Sequence, residues 1–284
     1  MLAAGLEPVR EASLGGVLSS LETGLGLTAT ARRSGPGERL ERVLLDAARE
    51  EGTVLVVCLG PGCDAATFTV APVEPTVRFV VVPADGGERN VAGVTFAIDE
   101  AAYIAGAVAG ALGPGAEVVL VDGPGCGSAV REGLENGLRS RDRTGTLREI
   151  SRADLLAGRA TVSGAAMAVL CPGPEGDRIA TALADSGAIV TTFDPAVADR
   201  LDGAPCAVIE VDLAEAVLRA ARDLVERDVA GRAYTFDVGS GVVRFRFCGR
   251  CRDRLPPDAL EAAREATDEV TAGIAEIEEL DRQE

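Results

Sequence analysis

The chain has no histidine, no lysine and no tryptophan, so all 28 of its basic residues are arginine. Without histidine there is no Ser-His-Asp or Cys-His machinery and no imidazole ligand for a metal. Without lysine there is no Schiff base and no phosphate-loop lysine. An enzyme built on this sequence would have to work with Asp, Glu, Cys, Arg, Ser, Thr or Tyr. Aromatic residues make up only 3% of the chain, so a base held between two rings is hard to build. Positive charge is outweighed, giving a net charge of −17. That argues against binding to a nucleic-acid backbone and against a polybasic membrane patch. The longest apolar run, AAYIAGAVAGAL at 101–112, has 12 residues and reads as a buried helix, too short for a membrane span. The amino-terminal MLAAGLEPVREASLGG has neither a basic start nor a sustained apolar stretch, so no signal peptide is visible. If Met1 is the true start, a cytoplasmic location is expected.

What is present is a strand-and-helix rhythm. At 284 residues, with 47% hydrophobic residues, 34 Gly and 14 Pro, the chain fits one two-lobed unit with many tight turns. Helical periodicity marks 16–25, 39–52 (ending on Gly52 as a cap) and a stretch near 64–71. It returns at 101–112, 128–140 and 177–187. Short β-branched runs mark strands at 53–60, 76–84, 117–123, 166–173, 188–194 and 206–212. A further strand, VVRFRF, lies near the carboxyl end. This alternation predicts an α/β fold of parallel sheets with helices on both faces.

Three of the strands end alike, in LVVCLGPGCD (55–64), VLVDGPGCGS (119–128) and VLCPGPEG (169–176). In open α/β sheets, ligands bind outside the carboxyl ends of strands, where loops lead into helix amino termini. Glycine permits the sharp turn, and Asp64, Ser128 and Asp177 read as helix caps. Two readings stand side by side: the loops wall one cleft, or Gly-Pro is simply how this chain turns from strand to helix. On the first, the binding residues are Gly60, Gly62, Cys63, Asp122, Gly123, Gly125, Ser128, Gly173 and Asp194.

Seven cysteines cannot all pair within one chain. Cys58, Cys171 and Cys206 sit at strand ends and read as buried, inert thiols. Cys63 and Cys126 precede helices; each is either a thiol made reactive by the helix dipole or a small loop residue without a role. Cys248 and Cys251 form a CxxC that does not open a helix and has no second pair. A local disulfide or free pair, a metal site and a redox site all stay open for it.

The segment NVAGVTFAIDEAAYIAGAVAGAL (90–112) resembles the signature of the basic membrane protein family, solute-binding proteins of ABC transporters with a purine-nucleoside-receptor branch. The family writes an Asn-Val pair, an extended segment ending in an acidic residue, and then a small-residue helix. Similarity continues through EVVLVDGPGCGSAVREGLENGLRS, AIVTTFD, GRAYTFDVGSGVVRF and LPPDALEAAREATDEVTAGI, over about residues 16–275, most clearly at 90–112 and 228–275. The resemblance implies a type I periplasmic-binding fold: two doubly wound lobes, a hinge, and a ligand caught between them. The expected lobes are 1–113 plus 206–233, and 114–205 plus 234–284. Asp194 falls where the family keeps a ribose-binding aspartate, whereas Asp122 has no family counterpart. Two departures are visible. VREASLGG stands where the family has an Asp-x-Ser-Phe-Asn motif, and Pro61 stands where it has an aromatic.

The resemblance implies a protein that is not an enzyme and needs no cofactor or metal. It would bind a small polar, nucleoside-like solute, work with an ABC permease, and act outside the cytoplasm as a membrane-associated lipoprotein. The alternative is a degenerate sibling serving as a regulator or interaction module. The scarce aromatics, altered first motif and absent signal point toward it.

Overall fold

The computed structural model describes residues 2–3, 11–35, 38–123, 126–201, 204–227, 231–249 and 255–273. The chain divides into two compact units, one of residues 1–96 and 212–236, the other of 97–211 and 237–284. The chain therefore passes between units at 96/97, 211/212 and 236/237. The first border was expected at 113; it falls at 96/97 because the helix at Ile98–Ala111 packs closely with the second unit, as described below.

The first unit holds the strands β1 (Leu2–Ala3), β2 (Arg32–Arg33), β3 (Leu55–Leu59), β4 (Arg78–Val82), β5 (Val91–Phe96) and β11 (Ala233–Phe236). They form one sheet in the order β11-β5-β4-β3-β1-β2, parallel throughout. Its helices are α1 (Glu11–Leu25), α2 (Leu40–Ala48), α3 (Cys63–Val70) and α9 (Leu213–Glu226). Val56, Cys58, Phe79 and Val81 point to one face and join Val43, Leu44, Ala66 and Val70 of α2 and α3 in one core. Val57, Leu59 and Val80 alternate to the opposite face and are equally buried, which is why β3 and β4 read as unbroken apolar runs. α9 packs against β3, β4, β5 and α1.

The second unit holds β6 (Glu117–Val121), β7 (Thr146–Ile150), β8 (Met167–Leu170), β9 (Ile189–Thr192), β10 (Cys206–Val211) and β12 (Val243–Phe247). Their order is β12-β10-β9-β8-β6-β7, parallel except for the antiparallel pair β10–β12. The helices are α4 (Ile98–Ala111), α5 (Ser128–Arg141), α6 (Arg152–Leu156), α7 (Gly176–Ala184), α8 (Pro195–Ala198) and α10 (Pro257–Thr271). Val119, Ala168, Leu170, Val190 and Val208 share a core with Ile179 and Leu183 of α7 and Val197 of α8. α4 crosses α5 at backbone contact distance: a Cβ on Gly137 would strike the Tyr103 carbonyl, and one on Gly106 the Leu134 carbonyl. Only glycine allows that approach. α4 also buries Tyr103, Ile104 and Ala107 against Ala266 and Val270 of α10.

Apolar runs do not mark β1, β2, β5, β7 or β11, and for two of these the reason is visible. β5 is interrupted by Gly93, where a Cβ would collide with the Gly86 carbonyl and come within 2.7 Å of the Ala84 carbonyl. β7 is an edge strand whose TLREI includes the half-buried Arg148 and the exposed Glu149. Neither gives a clean apolar run.

Candidate functional site

The cysteines explain much of the likeness among the three loops. Cys58 is bonded to Cys63, Cys126 to Cys171, and Cys206 to Cys248. This overturns the reading of Cys58, Cys171 and Cys206 as inert thiols, and that of Cys63 and Cys126 as reactive or idle ones. Cys248 pairs with Cys206 rather than with its CxxC neighbour; Cys251 lies outside the described residues. The reason is geometric. The tight turn after β3 brings Cys58 and Cys63 to a Cα separation of 5.6 Å; the parallel neighbours β6 and β8 and the antiparallel neighbours β10 and β12 bring the other pairs to 5.5 Å, all within disulfide range.

In the first unit the 60–63 turn closes on itself. The Gly60 N–H donates to the Val82 carbonyl at 2.7 Å, and the Cys63 N–H to the Gly60 carbonyl at 3.2 Å. Gly62 has φ of 79° and is itself the residue that caps α3, so Asp64 lies inside the first turn instead of capping it. Gly60 and Cys63 are buried, whereas Gly62 is exposed. This loop thus presents Pro61 and Gly62, not the Cys63 sulfur.

In the second unit the carboxyl edge of the sheet collects four of the nine expected residues. Asp122 and Gly123 follow β6, Gly173 follows β8 and Asp194 follows β9, so three of the residue groups lie on neighbouring strand ends. Gly125 lies outside the described residues. Ser128 is the exposed first residue of α5 behind Gly127, so it is not the cap. Asp177 likewise sits in the first turn of α7 and is paired with Arg200; Glu175, at φ of 60°, occupies the cap position two residues earlier. At Asp64 in α3 and Asp177 in α7 a first-turn carboxylate still complements the helix dipole.

The organising residue of this edge was not visible in the sequence. Arg152, the first residue of α6, donates through Nε to the Asp122 carbonyl at 2.6 Å and through one terminal nitrogen to the Pro174 carbonyl at 2.8 Å. Its other terminal nitrogen donates to the Cys171 carbonyl. Its backbone N–H donates to Asp122 Oδ1 at 2.9 Å. One planar guanidinium thus ties the loops after β6 and β8 together, beside the Cys126–Cys171 bond. Burial pulls the Arg152 pKa below its usual value, and the Asp122 and Glu175 charges oppose that shift.

The two glycines are fitted around this side chain. A Cβ on Gly123 would collide with the Pro172 carbonyl and lie 2.9 Å from the Arg152 guanidinium; one on Gly173 would lie 3.0 Å from its central carbon. Gly173 also has φ of 153°. The only sequence signal for Arg152 was its place behind a strand that the pattern did not reveal.

Asp194 accepts a hydrogen bond from the Ala196 N–H at 2.9 Å through Oδ1 and caps α8. The segment 90–112 is partly structural. Asn90 is buried and its amide donates to the carbonyls of Ala71, Glu74 and Val77 at 3.0, 3.1 and 2.8 Å. Glu100 accepts from the Val238 N–H at 2.9 Å, and burial, more than that bond offsets, raises its pKa. Along the carboxyl edge, Arg152 engages the carbonyls of Asp122, Cys171 and Pro174, and one oxygen each of Asp122 and Asp194 accepts from a backbone N–H, so the two carboxylates are the acceptor groups set at these strand ends. Such a surface suits a ligand rich in hydroxyl donors.

Residues 28–132 match the model of the Bmp family, described as ABC transporter substrate-binding protein PnrA-like. The matched segment includes 90–112 and stops short of 228–275. No curated protein sequence matches the chain. Among solved structures, the fold is similar to an ABC transporter solute-binding protein from Conexibacter woesei DSM 14684, with a TM-score of 0.69, 18% identity and 96% of each chain covered. It is similar to a transcriptional activator of the comK gene from Bacillus halodurans, with a TM-score of 0.77, 15% identity, 95% of this chain and 96% of that one. A periplasmic binding protein/LacI transcriptional regulator from Alkaliphilus metalliredigens QYMF, complexed with D-xylulofuranose, gives a TM-score of 0.59 and 12% identity. The alignment covers 86% of this chain and 96% of that one. The fold is the type I periplasmic-binding-protein-like α/β fold that the resemblance implied.

Proposed function

We propose that the protein is a solute-binding protein of the basic membrane protein type, which captures a small polar solute for an ABC transporter and acts by recognition, with no bond chemistry. The observation that carries this is the carboxyl edge of the second sheet, where two carboxylates, Asp122 and Asp194, and two glycines, Gly123 and Gly173, follow neighbouring strands. In folds of this class ligands bind at such edges. Hydroxyl groups donate to carboxylates and carbonyls, so a sugar-bearing, nucleoside-like solute fits the donor and acceptor balance. The D-xylulofuranose held by a protein of similar fold supports the same class. Three disulfides support an oxidising, extracytoplasmic location.

The test is on the two carboxylates. In Asp122→Asn and Asp194→Asn, affinity for a pentose or pentose-bearing solute should fall about tenfold or more, as each loses a charge-assisted hydrogen bond. Unchanged affinity in both variants contradicts the reading. The likeness to the comK activator supports a second reading, a sensing domain without a transporter. Solute affinity without binding to any ABC permease would favour it.

A further inference from the structure

The three disulfides differ in access. Cys58 and Cys63 are 1% and 0% exposed, and Cys206 and Cys248 are 1% and 7% exposed, so both ends of those bonds are shut off from solvent. In the third bond Cys171 is 2% exposed, but Cys126 is only half-buried. Among the described cysteines, Cys126 alone can be reached by a dissolved reagent in the folded protein.

The surroundings of its buried partner matter as much. The Cys171 carbonyl accepts from a terminal nitrogen of Arg152. That nitrogen and the Cys171 Cβ lie 2.9 and 3.0 Å from the point where a Cβ on Gly123 would stand. A cation is thus held beside the Cys171 side chain, and its bonds to the Asp122 and Pro174 carbonyls fix it there. A neighbouring guanidinium lowers a thiol's pKa and makes it a better leaving group in disulfide exchange. One sulfur is open to attack, and the other is placed to leave.

We propose that Cys126–Cys171 is a thiol-exchange site whose substrate is a small thiol of low charge. The incoming thiol gives its proton to water, and its thiolate attacks Cys126 Sγ. A bond forms between the incoming sulfur and Cys126 Sγ as the Cys126–Cys171 bond breaks. The electron pair of the broken bond leaves on Cys171 Sγ, which Arg152 stabilises as a thiolate until it takes a proton from water. One disulfide is exchanged for another with no net oxidation, and Cys126 carries the adduct. Low charge follows from the net charge of −17 and from the Asp122 and Glu175 charges around Arg152. The adduct stands on the turn directly after Asp122, where the Cys126 N–H donates to the Gly123 carbonyl at 3.1 Å.

The experiment uses the folded wild-type protein with any free thiol first blocked by iodoacetamide. It is incubated with 2-mercaptoethanol without denaturant, quenched in acid, unfolded, labelled with N-ethylmaleimide and mapped by peptide mass spectrometry. Cys126–Cys171 should open at least about tenfold faster than Cys58–Cys63 or Cys206–Cys248. In protein carrying one adduct, the adduct should sit on Cys126 and the new thiol on Cys171. Arg152→Gln should slow opening of this bond about threefold or more, as the leaving thiol loses its cation. A merely structural role for Arg152 would speed opening by loosening the loops. Should that variant fail to fold, shown by fast opening of all three of its bonds, the wild-type rates and the adduct position decide alone. Opening of all three wild-type bonds at one rate, an adduct on Cys171, or unchanged or faster opening in a folded Arg152→Gln overturns the proposal.

Discussion

Arg152 and Asp142 show how single side chains hold the backbone around the second unit's sheet. Arg152 satisfies three carbonyls in two loops, and a backbone carbonyl left without its donor costs about 1–3 kcal/mol. Arg152→Ala should therefore destabilise the protein by about 1–3 kcal/mol in urea unfolding. Arg152→Lys should recover little, since an ammonium lacks the planar fork. Wild-type stability in the alanine variant would show that the fork is dispensable. Asp142 accepts from the Thr144 hydroxyl at 2.6 Å, the Thr144 N–H at 2.9 Å and the Ala116 N–H at 3.0 Å. The Thr144 bonds, the largest cause, hold its pKa below the usual carboxylate value of 3.8. The folded state then binds this proton more weakly than the unfolded state. Its contribution is present above about pH 4 and is lost as pH falls through the depressed value. Tm of Asp142→Asn should be lower than wild type at pH 7, and the gap should narrow toward pH 3. A gap that stays constant would contradict this assignment.

Among the elements, the α4–α5 crossing is the tightest contact of the second unit, and glycine permits it. Gly137→Ala would press a methyl into the Tyr103 carbonyl, with an overpacking cost of about 1–3 kcal/mol. Denaturant unfolding measures it, and an unchanged midpoint would refute the close approach. The disulfides are graded by the loops they close. In the chain-entropy picture, losing Cys126–Cys171, with a separation of 45, costs about 4 kcal/mol. Losing Cys58–Cys63, with a separation of 5, costs about 2 kcal/mol. Cys126→Ser should thus lower the unfolding midpoint more than Cys58→Ser, and the reverse order would contradict the pairing.

This scale also shows what could be read in advance. Buried parallel strands such as β3, β4 and β6 announce themselves as apolar runs, and α5 and α7 as amphipathic periods. The edge strand β7 and the glycine-broken β5 do not. With β7 unseen, Arg152 had no place on the sheet edge, so the residue that organises the loops stayed hidden. Asp122, Gly123, Gly173 and Asp194 were legible because they follow strands whose ends were clear. The cysteine pairings were not, since they depend on strand order, which the local pattern does not carry.

For the whole molecule, the disulfides support the proposed extracytoplasmic setting over the cytoplasmic one expected from the amino-terminal residues. Six of the seven cysteines are engaged in three disulfides, which persist in oxidising compartments. Thiol titration of the protein unfolded without reductant should find at most one thiol per chain, and three or more would contradict the bonding. The acidic surface, with no lysine or histidine, suits a protein that meets small uncharged solutes better than one that meets nucleic acid. The scarcity of rings limits purine stacking, which contributes about 1–3 kcal/mol per base where it occurs. Purine nucleosides should therefore gain little over their sugar. The central claim, capture of a polar sugar-bearing solute, is tested most directly by isothermal titration of the wild-type protein. The panel is xylulose, ribose, adenosine, guanosine and inosine. The account predicts saturable one-to-one binding of at least one pentose-bearing member, with no purine nucleoside reaching submicromolar affinity. Absence of binding across the panel would contradict it, and submicromolar binding of a purine nucleoside would contradict the limit set by the missing rings.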